Sequence, residues 1–422
     1  MICHWFRYLW FVNDTKLYEQ ILGLQPPWSV KSVTLKKDEG IIEVEVACAE
    51  TAWGCPECGV RMHIHAWERR KWRHLDSCQY KTILVADVPR VKCDTHGTQM
   101  VKVAWAEPGS RFTAWFERLA IDVLKECSTA AACDILRITW DQADGIKQRA
   151  IDRGLARRPV VPFKRLCVDE KAVGWGHQYV TIVSCADGGE TRVLAIEDDR
   201  EENSLNRFWR TLTPEQRKAV EAVSMDMWKP FKSSTIRYIP GGADKIVYDN
   251  FHLARYLNRA VDEVRRTEHE VKQGDTVSPL KGTRQLWLYG LENVPRKWAA
   301  RFRELRALAT KTARAWAVKE LFRSFWACVD PDDATTFFRK WYRDAMATRL
   351  EPIKKVARMF KEHWANIVTF FRHHLSNAHA EGINSRIQHL IQKACGYRNR
   401  ARFKRDVLFH LGGLDLHPIL AQ

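Results

Sequence analysis

Four potential metal ligands lie in two short pairs in the N-terminal quarter of the chain. Cys55 and Cys58 form a C-x-x-C pair, and Cys93 and His96 form a C-x-x-H pair further along. A glycine follows each pair directly and permits the left-handed turn that such loops use. Two such pairs suit tetrahedral Zn²⁺, so the sequence predicts a closed, structural zinc site. The spare ligands, should one assignment be wrong, are Cys48, Cys78, His63 and His65.

Three carboxylates stand at positions from which they could converge on a second metal centre. Asp169 and Asp226 each end a short apolar run, and Glu381 lies on a late predicted helix, within the run Asn377–Asn384. Two strand-borne Asp and one helix-borne Glu can hold two Mg²⁺, an arrangement that performs phosphoryl transfer. A single acid at the end of a strand carries little information. The order of the three, with a long helical stretch before the Glu, is the informative feature.

Three short helical segments follow the metal-ligand pairs, at 112–125, 128–136 and 139–153, with Ser128 and Thr139 in N-cap positions. Their lengths and short turns are typical of a helix-turn-helix. If the third helix enters the major groove, the candidate contacts are Gln142, Lys147, Gln148 and Arg149. That helix also carries Asp141 and Asp144, acids that a simple basic arm lacks. On the residues alone, a generic helical connector is the better explanation.

A basic stretch lies near the C-terminus. From Arg386 to Arg405 there are seven Lys or Arg and no acid, with Tyr397 and Phe403 between them. Because no acid compensates the charge, contact with DNA phosphates is favoured over a solvated helix face. Two other basic clusters, at 69–74 and 296–303, fit either explanation equally well. The candidate contacts in the C-terminal stretch are Arg386, Lys393, Arg398, Arg400 and Arg402.

The composition sets limits on the class of protein. The 422 residues include 68 Lys and Arg against 51 Asp and Glu, a net charge of +17 that suits a polyanionic partner. On charge alone, a basic but ordinary enzyme is equally compatible. Hydrophobic residues make up 45%, and no apolar run is long enough to span a membrane, so we expect a folded cytoplasmic protein. In that compartment the 12 Cys do not indicate a disulfide framework.

Two groups of predicted strands position these candidate sites. Alternating runs at 41–48 and 80–88 predict a small β-rich module around the zinc ligands. Apolar runs at 166–169, 179–186, 192–196, 222–226 and 245–249 predict a second sheet, and almost everything beyond Phe251 is predicted helical. The predicted fold is multidomain α/β. Its divisions are 1–105 with a zinc ribbon, 106–160 with the helix-turn-helix, 161–255 together with 365–422 as the core and basic C-terminal helices, and 256–364 as a helical insertion.

Five runs, taken in order, resemble the transposases of the ISL3 insertion-sequence family. The resemblance extends upstream to the zinc-ligand pairs and the helix-turn-helix, and downstream to Gly396–Asn399, so it covers nearly the whole chain from about residue 20. Residues 1–14 have no recognised counterpart. Each run alone is weak, but the ordered set is specific. The runs are Val168–Glu170, Tyr179 opening the next strand, Ser224–Pro230, Val247–His252 and Ala380–Asn384.

The resemblance implies a DDE transposase whose ribonuclease-H-like catalytic core is interrupted by an all-α insertion. Such enzymes use Mg²⁺ to cut double-stranded DNA at the terminal inverted repeats of their element and join the 3′-OH ends to target DNA. By match, Asp169 is the first catalytic acid, Asp226 the second and Glu381 the third, and all three are Mg²⁺ ligands. The family usually has Cys where this chain has His96. Both residues ligate zinc, so the departure weakens the zinc assignment only slightly.

Asp249 competes with Asp226 for the second position, since both end short apolar runs that match the family. In a ribonuclease-H-like sheet the first acid lies on the opening strand, and the fourth strand lies beside it. Counting strands makes 222–226 the fourth and 245–249 the fifth, which favours Asp226. On this interpretation Asp249 orients His252 or the following helix.

Two alternative functions remain open at the level of sequence. One is a domesticated or regulatory DNA-binding protein that keeps the fold without transposition; the other is a ribonuclease-H-like nuclease without strand transfer. The presence of all three acids argues against the first, and the zinc and helix-turn-helix modules argue against the second. For a transposase we expect a nucleoid-associated protein of the prokaryotic cytoplasm, without membrane contact, that acts as a homodimer on DNA. We also expect end-specific binding to reside in residues 1–160.

Overall fold

The computed structural model describes residues 14–174, 178–187, 191–271, 278–308, 310–375 and 378–420. Residues 1–13 of the N-terminal segment and Asn377 of the Glu381 motif lie outside the described residues. The chain forms two compact units. The first unit comprises Met1–Arg158, Lys393–His410 and Leu414–Gln422, and the second comprises Pro159–Gln392 and Leu411–Gly413.

The first unit opens with α1 (Asp14–Leu22) and a mixed sheet that carries the zinc-ligand pairs. The strand order is β1-β2-β5-β4-β3, with β6 on β5, and only the β2–β5 pair is parallel. Trp28, Trp72 and Trp105 pack edge to face in the core beneath it, as amphipathic aromatic rings favour. The strands are β1 (Trp28–Lys36), β2 (Ile41–Cys48), β3 (Ala52–Gly54), β4 (Arg61–Arg73), β5 (Lys81–Cys93) and β6 (Gly97–Met100).

The predicted three-helix segment is confirmed as α2 (Ala114–Glu126), α3 (Thr129–Leu136) and α4 (Trp140–Ala156). Ser128 and Thr139 are its N-caps: each side-chain oxygen accepts a hydrogen bond from a backbone N–H of the first turn. A distant part of the chain completes this bundle. The helix α18 (Arg400–Leu411) and the tail after it supply Phe409 and Leu416 to the core formed by α2, α3 and α4.

The second unit contains a five-stranded sheet ordered β11-β10-β7-β8-β9. The strands β7, β8 and β9 are antiparallel neighbours, whereas β10 and β11 run parallel to β7. All five predicted strands are therefore present, and the fourth lies beside the first, as strand counting predicted. They are β7 (Arg165–Gly174), β8 (Gln178–Cys185), β9 (Arg192–Asp198), β10 (Ala222–Met225) and β11 (Ile246–Tyr248), with α5 (Glu202–Thr211), α6 (Pro214–Ala219), α7 (Lys229–Tyr238) and α8 (Gly242–Lys245) between them.

Helices make up the rest of the second unit, and they share one hydrophobic core with the sheet. That core is rich in aromatic side chains: Trp287, Phe302, Phe325, Trp341 and Phe360 are almost fully buried. Many of the tryptophan side chains of this protein therefore belong to its hydrophobic cores. The helices are α9 (Asn250–Val271), α10 (Arg284–Leu288), α11 (Arg296–Ala307), α12 (Lys311–Arg323), α13 (Pro331–Ala347), α14 (Glu351–Glu362), α15 (Trp364–Val368), α16 (Phe370–His373) and α17 (Ala378–Lys393).

Candidate functional site

The four predicted zinc ligands come together between two turns of the first sheet. Their ligand atoms all lie within 4.8 Å of one another. The Cys58 and Cys93 Sγ atoms are 3.7 Å apart, and the Nδ1 of His96 lies 3.5 Å from the Sγ of Cys93 and 3.8 Å from that of Cys55. Zn–S and Zn–N bonds of about 2.3 and 2.0 Å arranged tetrahedrally give ligand separations of about 3.5 to 3.8 Å. The donor set therefore fits a tetrahedral zinc ion.

The backbone conformation of the two turns and the hydrogen bonds around Cys93 favour metal binding by this cluster. Gly59 and Gly97 both have positive φ angles, +74° and +68°, so each turn uses the conformation that glycine permits. Hydrogen bonds from the backbone N–H of His96 and from its ring lower the pKa of Cys93 to about 6. A thiolate is the form of cysteine that binds zinc. The spare candidates, including Cys78, lie outside this cluster.

Asp169 and Asp226 lie on one face of the second sheet because of the alternation of strand side chains. On β7 and β10 the residues Val168 and Met225 face the main core, and Cys167 faces the opposite side. The parallel register pairs Ser224 with Cys167, and two positions further on it brings Asp226 level with Asp169. In both carboxylates Oδ1 accepts the N–H of the next residue, at 2.8 Å for Asp169 and 2.6 Å for Asp226.

Asp249 follows β11 and has hydrogen-bond partners different from those of the other two acids. Its side chain is buried, with Oδ2 accepting from Nδ1 of His252 at 2.8 Å and Oδ1 accepting from the backbone N–H of Phe251. The other ring nitrogen of His252, Nε2, lies 3.8 Å from Oδ2 of Asp226. Asp249 thus orients His252 and the start of α9, which is the arrangement predicted for an acid on the fifth strand.

The helix α17 reaches the same face of the sheet. Its Ala380 packs with Cys167 and Val247 in a small apolar cluster, and Asn384 Nδ2 donates a 2.6 Å hydrogen bond to Oδ2 of Asp169. Glu381 precedes Asn384 by three positions, so the two side chains leave the same side of the helix. Glu381 is exposed in the first turn of α17.

Burial dominates the electrostatics of this cluster. Burial raises the pKa of Asp169 to about 6, against the opposing effects of the Glu170 N–H and the His252 ring. Burial also lowers the pKa of His252, but the hydrogen bond to Asp249 and the nearby carboxylates outweigh it and leave this pKa raised. Asp169 and Asp249 are therefore carboxylates that solvent screens only weakly, and a nearby cation would interact with them more strongly than it would in water.

The predicted DNA contacts on α4 differ from one another in exposure and in hydrogen-bond partners. Gln142 is exposed, and its side chain closes the capping box with Thr139. Gln148 donates to Asp152, and Arg149 is paired with Glu117. The remaining candidate, Lys147, is buried and donates to Asp406 of α18 at 2.8 Å. Burial against α18 keeps this ammonium from reaching a DNA surface, so we no longer assign Lys147 as a contact.

Several candidates of the C-terminal basic stretch also have partners within the first unit. Arg402 pairs with Asp141 and Asp144, and Lys393 donates to the carbonyls of Lys125 and Glu126 at the end of α2. Asp141 and Asp144, the two acids that are unexpected on a DNA-binding helix, therefore neutralise positive charge on α18. Arg386 and Arg398 are exposed, and Arg400 is half-buried.

Comparison with known proteins assigns all three parts of the chain. Residues 166–407 match the ISL3 model described as "Transposase". Residues 51–96 match the "zinc-finger of transposase IS204/IS1001/IS1096/IS1165", and residues 101–150 match the "Helix-turn-helix domain of transposase family ISL3". The first of these matches spans more than half of the chain. The chain belongs to the ISL3 family of transposases.

Two relatives of this ISL3 transposase extend over nearly its full length. The transposase for insertion sequence element IS1001 of Bordetella parapertussis is 24% identical over 396 residues, covering 92% of this chain and 96% of the relative. The transposase for IS1557 of Mycobacterium tuberculosis is 23% identical over 426 residues, with 92% and 93% covered. The zinc-finger match includes all four clustered ligands, which together with their geometry supports a structural zinc ion.

Two residues that contact the candidate site of this transposase are not among the residues predicted from the sequence. One is Asn384, whose spacing of three from Glu381 is a usable signal in the sequence. The other is Arg200, whose guanidinium lies 4.4 Å from the Tyr179 ring centroid and 4.7 Å from that of Trp228. Arg200 also pairs with Glu170 at 3.2 Å, so it links the segments that follow Asp169 and Asp226. No pattern in the sequence pointed to it.

None of the described helices combines the length and the apolar character needed to cross a bilayer.

Proposed function

We propose that this transposase binds double-stranded DNA at the terminal inverted repeats of its insertion sequence, cuts it, and joins the ends to target DNA. The observation that carries the proposal is the placement of Asp169 and Asp226 level with each other on adjacent parallel strands, with Asn384 of α17 bonded to Asp169. Family membership supports the transposase activity itself. The DDE chemistry and the choice of DNA are our inference.

We infer that the core is ribonuclease-H-like. The support comes from the strand order, in which three antiparallel strands are followed by a fourth and fifth parallel to the first, on its other side. The opening strand lies mid-sheet and carries Asp169, and the strand beside it leads into Asp226. We propose the divisions 1–105, 106–160, 161–255 with 365–422, and 256–364 along the sequence, with the difference that residues 393–410 and 414–422 pack in the first unit and not with the core.

The donor chemistry of the three acids suits a magnesium centre, although among the described residues their carboxylate oxygens do not all lie within 4.8 Å of one another, as the zinc ligands do. Oxygen ligands are those that Mg²⁺ prefers, and Asp169, Asp226 and Glu381 would hold it. Within the described residues, Oδ1 of Asn384 is buried next to Asp169 and has no hydrogen-bond partner. An orphaned acceptor beside a buried carboxylate is costly unless a cation is present. When bound, a pair of Mg²⁺ ions would activate the attacking oxygen and stabilise the leaving oxygen.

The chain's own residues position these ligands. Asn384 fixes Oδ2 of Asp169, while the N–H of Glu170 fixes Oδ1. Asp249 holds the Nδ1 proton of His252 and turns Nε2 toward Asp226. Supporting hydrogen bonds of this kind orient metal ligands and limit their rotation.

We assign DNA binding to the helix-turn-helix and to the basic C-terminal stretch. Gln142 at the exposed N-terminal end of α4 is the proposed base contact, with Gln148 and Arg149 beside it. Arg386, Arg398 and Arg400 are proposed phosphate contacts, and Lys393 and Arg402 would have to exchange their present partners to join them. Arg400 is half-buried and also has an interaction of its own within the protein. Cutting two element ends requires two active sites, so we propose a homodimer on DNA. Because the relatives are bacterial, we place it at the nucleoid of a prokaryotic cytoplasm.

Purified protein incubated with labelled element ends and Mg²⁺ tests the proposal. We expect cleavage at the ends and transfer of the 3′-OH strand to plasmid DNA, with neither reaction in EDTA. The matched control is Asp169→Asn, which should bind the ends and cut nothing. Cleavage without strand transfer would indicate a nuclease, and end binding without cleavage by the wild-type chain would indicate a regulatory protein.

A further inference from the structure

One face of α9 forms the wall of a groove of about 920 Å³ in the second unit. Residues 251, 255, 258, 259, 262 and 266 fall within an arc of about 100° around the helix, because spacings of three, four and seven return to the same side. Arg284 of α10 lines the opposite side. Five Arg and two acids line the groove in all, so it is strongly positive.

Two of these Arg, Arg255 and Arg259, form no ion pair with an acid among the described residues. Asp262 pairs with Arg265, Arg266 and Arg284. Arg255 and Arg259 are exposed, and no acid in the part of the chain that the structure describes pairs with either. A guanidinium without a carboxylate partner is free to form the bidentate contacts with phosphate that suit its planar shape. The groove therefore offers two free phosphate ligands on one helix face.

The groove lies on the helix that starts beside the candidate active site, and its first lining residue, Phe251, stands between Asp249 and His252 in the chain. Asp249 directly precedes α9 and His252 lies in its first turn. At 1.5 Å per residue, Arg255 and Arg259 lie about 9 and 15 Å from Asp249 along the helix axis. Phe251 lies between these groups with 57% of its surface exposed, and its ring contacts His252 edge to face. An exposed aromatic ring beside free Arg is typical of surfaces that bind nucleic acid strands.

We propose that this groove holds the element-end DNA next to the bond being cut, with Arg255 and Arg259 on its phosphates and Phe251 against a base or sugar. The inference rests on the proposed function, which assigns DNA cleavage to the adjoining acids. Charge complementarity and continuity with the acids identify the occupant as the DNA being cut. Neither the helix-turn-helix nor the C-terminal basic stretch supplies these contacts.

The test compares Arg255→Ala/Arg259→Ala with Arg314→Ala/Arg339→Ala, in full-length protein. The control removes the same charge from exposed Arg on α12 and α13 that lie outside the groove. We expect the groove variant to raise KM for end cleavage on the order of tenfold with little change in kcat, and to reduce the slope of log K against log salt by about 2. Arg255→Lys/Arg259→Lys should recover most of the binding, since the charge is kept.

Three results would overturn the inference: the same KM and salt slope in the groove and control variants, an equal loss in both, or a loss confined to the joining of pre-cut ends to target DNA. The last would make target DNA the occupant. The salt slope is measured in a binding assay, so it tests whether the groove binds DNA even if the wild-type chain does not cut. Failure of wild-type cleavage contradicts the proposed function, whereas wild-type cleavage with an unaltered groove variant contradicts only this inference.

Discussion

Individual residues of the same type acquire different roles from their immediate contacts. Asp226 is a quarter exposed, and among the described residues its Oδ2 lies 3.8 Å from Nε2 of His252. Asp249 is almost fully buried, and both of its carboxylate oxygens are engaged by α9. An available, partly solvated oxygen suits a metal ligand, while a fully bonded carboxylate suits an orienting group. The predicted strand order favours the same division of roles, which remains a prediction, and the hydrogen bonds are consistent with it.

Substitution of the two acids should separate their roles. Asp226→Asn removes an anionic metal ligand without changing the side-chain volume, so we expect cleavage to fall on the order of a thousandfold or more, with DNA binding intact. Asp249→Asn should cost only about ten- to a hundredfold, because it weakens an orienting hydrogen bond. Both are measured as single-turnover cleavage of a labelled end. A folded, inactive Asp249→Asn beside an active Asp226→Asn would show that the assignments are reversed.

The zinc ligands give a second prediction at the residue scale. Four ligands at tetrahedral separations should retain about one zinc per chain after gel filtration, measured by elemental analysis. Cys93→Ser should lose the metal and destabilise the small sheet, since such modules gain much of their stability from zinc. Cys78→Ser is the control, because Cys78 is exposed and outside the cluster. Zinc loss in the control but not in Cys93→Ser would refute the assignment.

At the scale of elements, local patterns predicted the strands, the three helices of residues 112–153 and the C-terminal helix, but not that α18 packs against the three helices. Apolar runs and N-cap residues are encoded in adjacent positions, so they can be found by inspection. The contact of α18 with α4 joins residues more than 250 positions apart, as in the Lys147–Asp406 pair. The only local sign was the pair of acids on α4, Asp141 and Asp144, which now have Arg402 and Arg405 as partners.

The Lys147–Asp406 pair should stabilise the bundle. Either Lys147→Ala or Asp406→Ala leaves a buried charge without its partner, which typically costs about 3–5 kcal/mol. Lys147→Met combined with Asp406→Leu should cost less than either single change, because it removes both charges. Chemical denaturation followed by Trp fluorescence measures the difference. If Lys147→Ala kept full stability and lost only DNA affinity, Lys147 would be a DNA contact after all.

At the scale of the whole molecule, each end of the chain contributes to the first unit. The sequence analysis divided the protein into consecutive segments, with only the core interrupted. In the structure, the chain leaves the first unit near residue 158 and returns to it at 393. Sequence patterns locate elements but do not reveal which distant elements pack together, because an amphipathic helix does not specify its partner. The acids and zinc ligands could be found, whereas the composition of the DNA-binding unit could not.

Because C-terminal residues complete the first unit, the expectation that residues 1–160 alone recognise element ends must be revised. In that fragment the apolar surface of α2, α3 and α4 that Phe409 and Leu416 cover would be exposed to solvent. Arg153 would also lose its hydrogen bond to the backbone carbonyl of Leu416. Arg157 would lose its partners Asp415 and His417 in the same way. We therefore expect the fragment to melt at lower temperature and to bind ends weakly.

The segment 393–420, added as a peptide or fused through a flexible linker, should restore both properties, because it returns the missing core and ion pairs. Circular dichroism melting and fluorescence anisotropy with element-end and random duplexes measure the two effects. The matched control is the same peptide carrying Phe409→Ala and Leu416→Ala, which keeps every charge but loses the buried side chains. If the bare fragment matched the reconstituted unit in stability and in discrimination between duplexes, end recognition would not require the C-terminal segment.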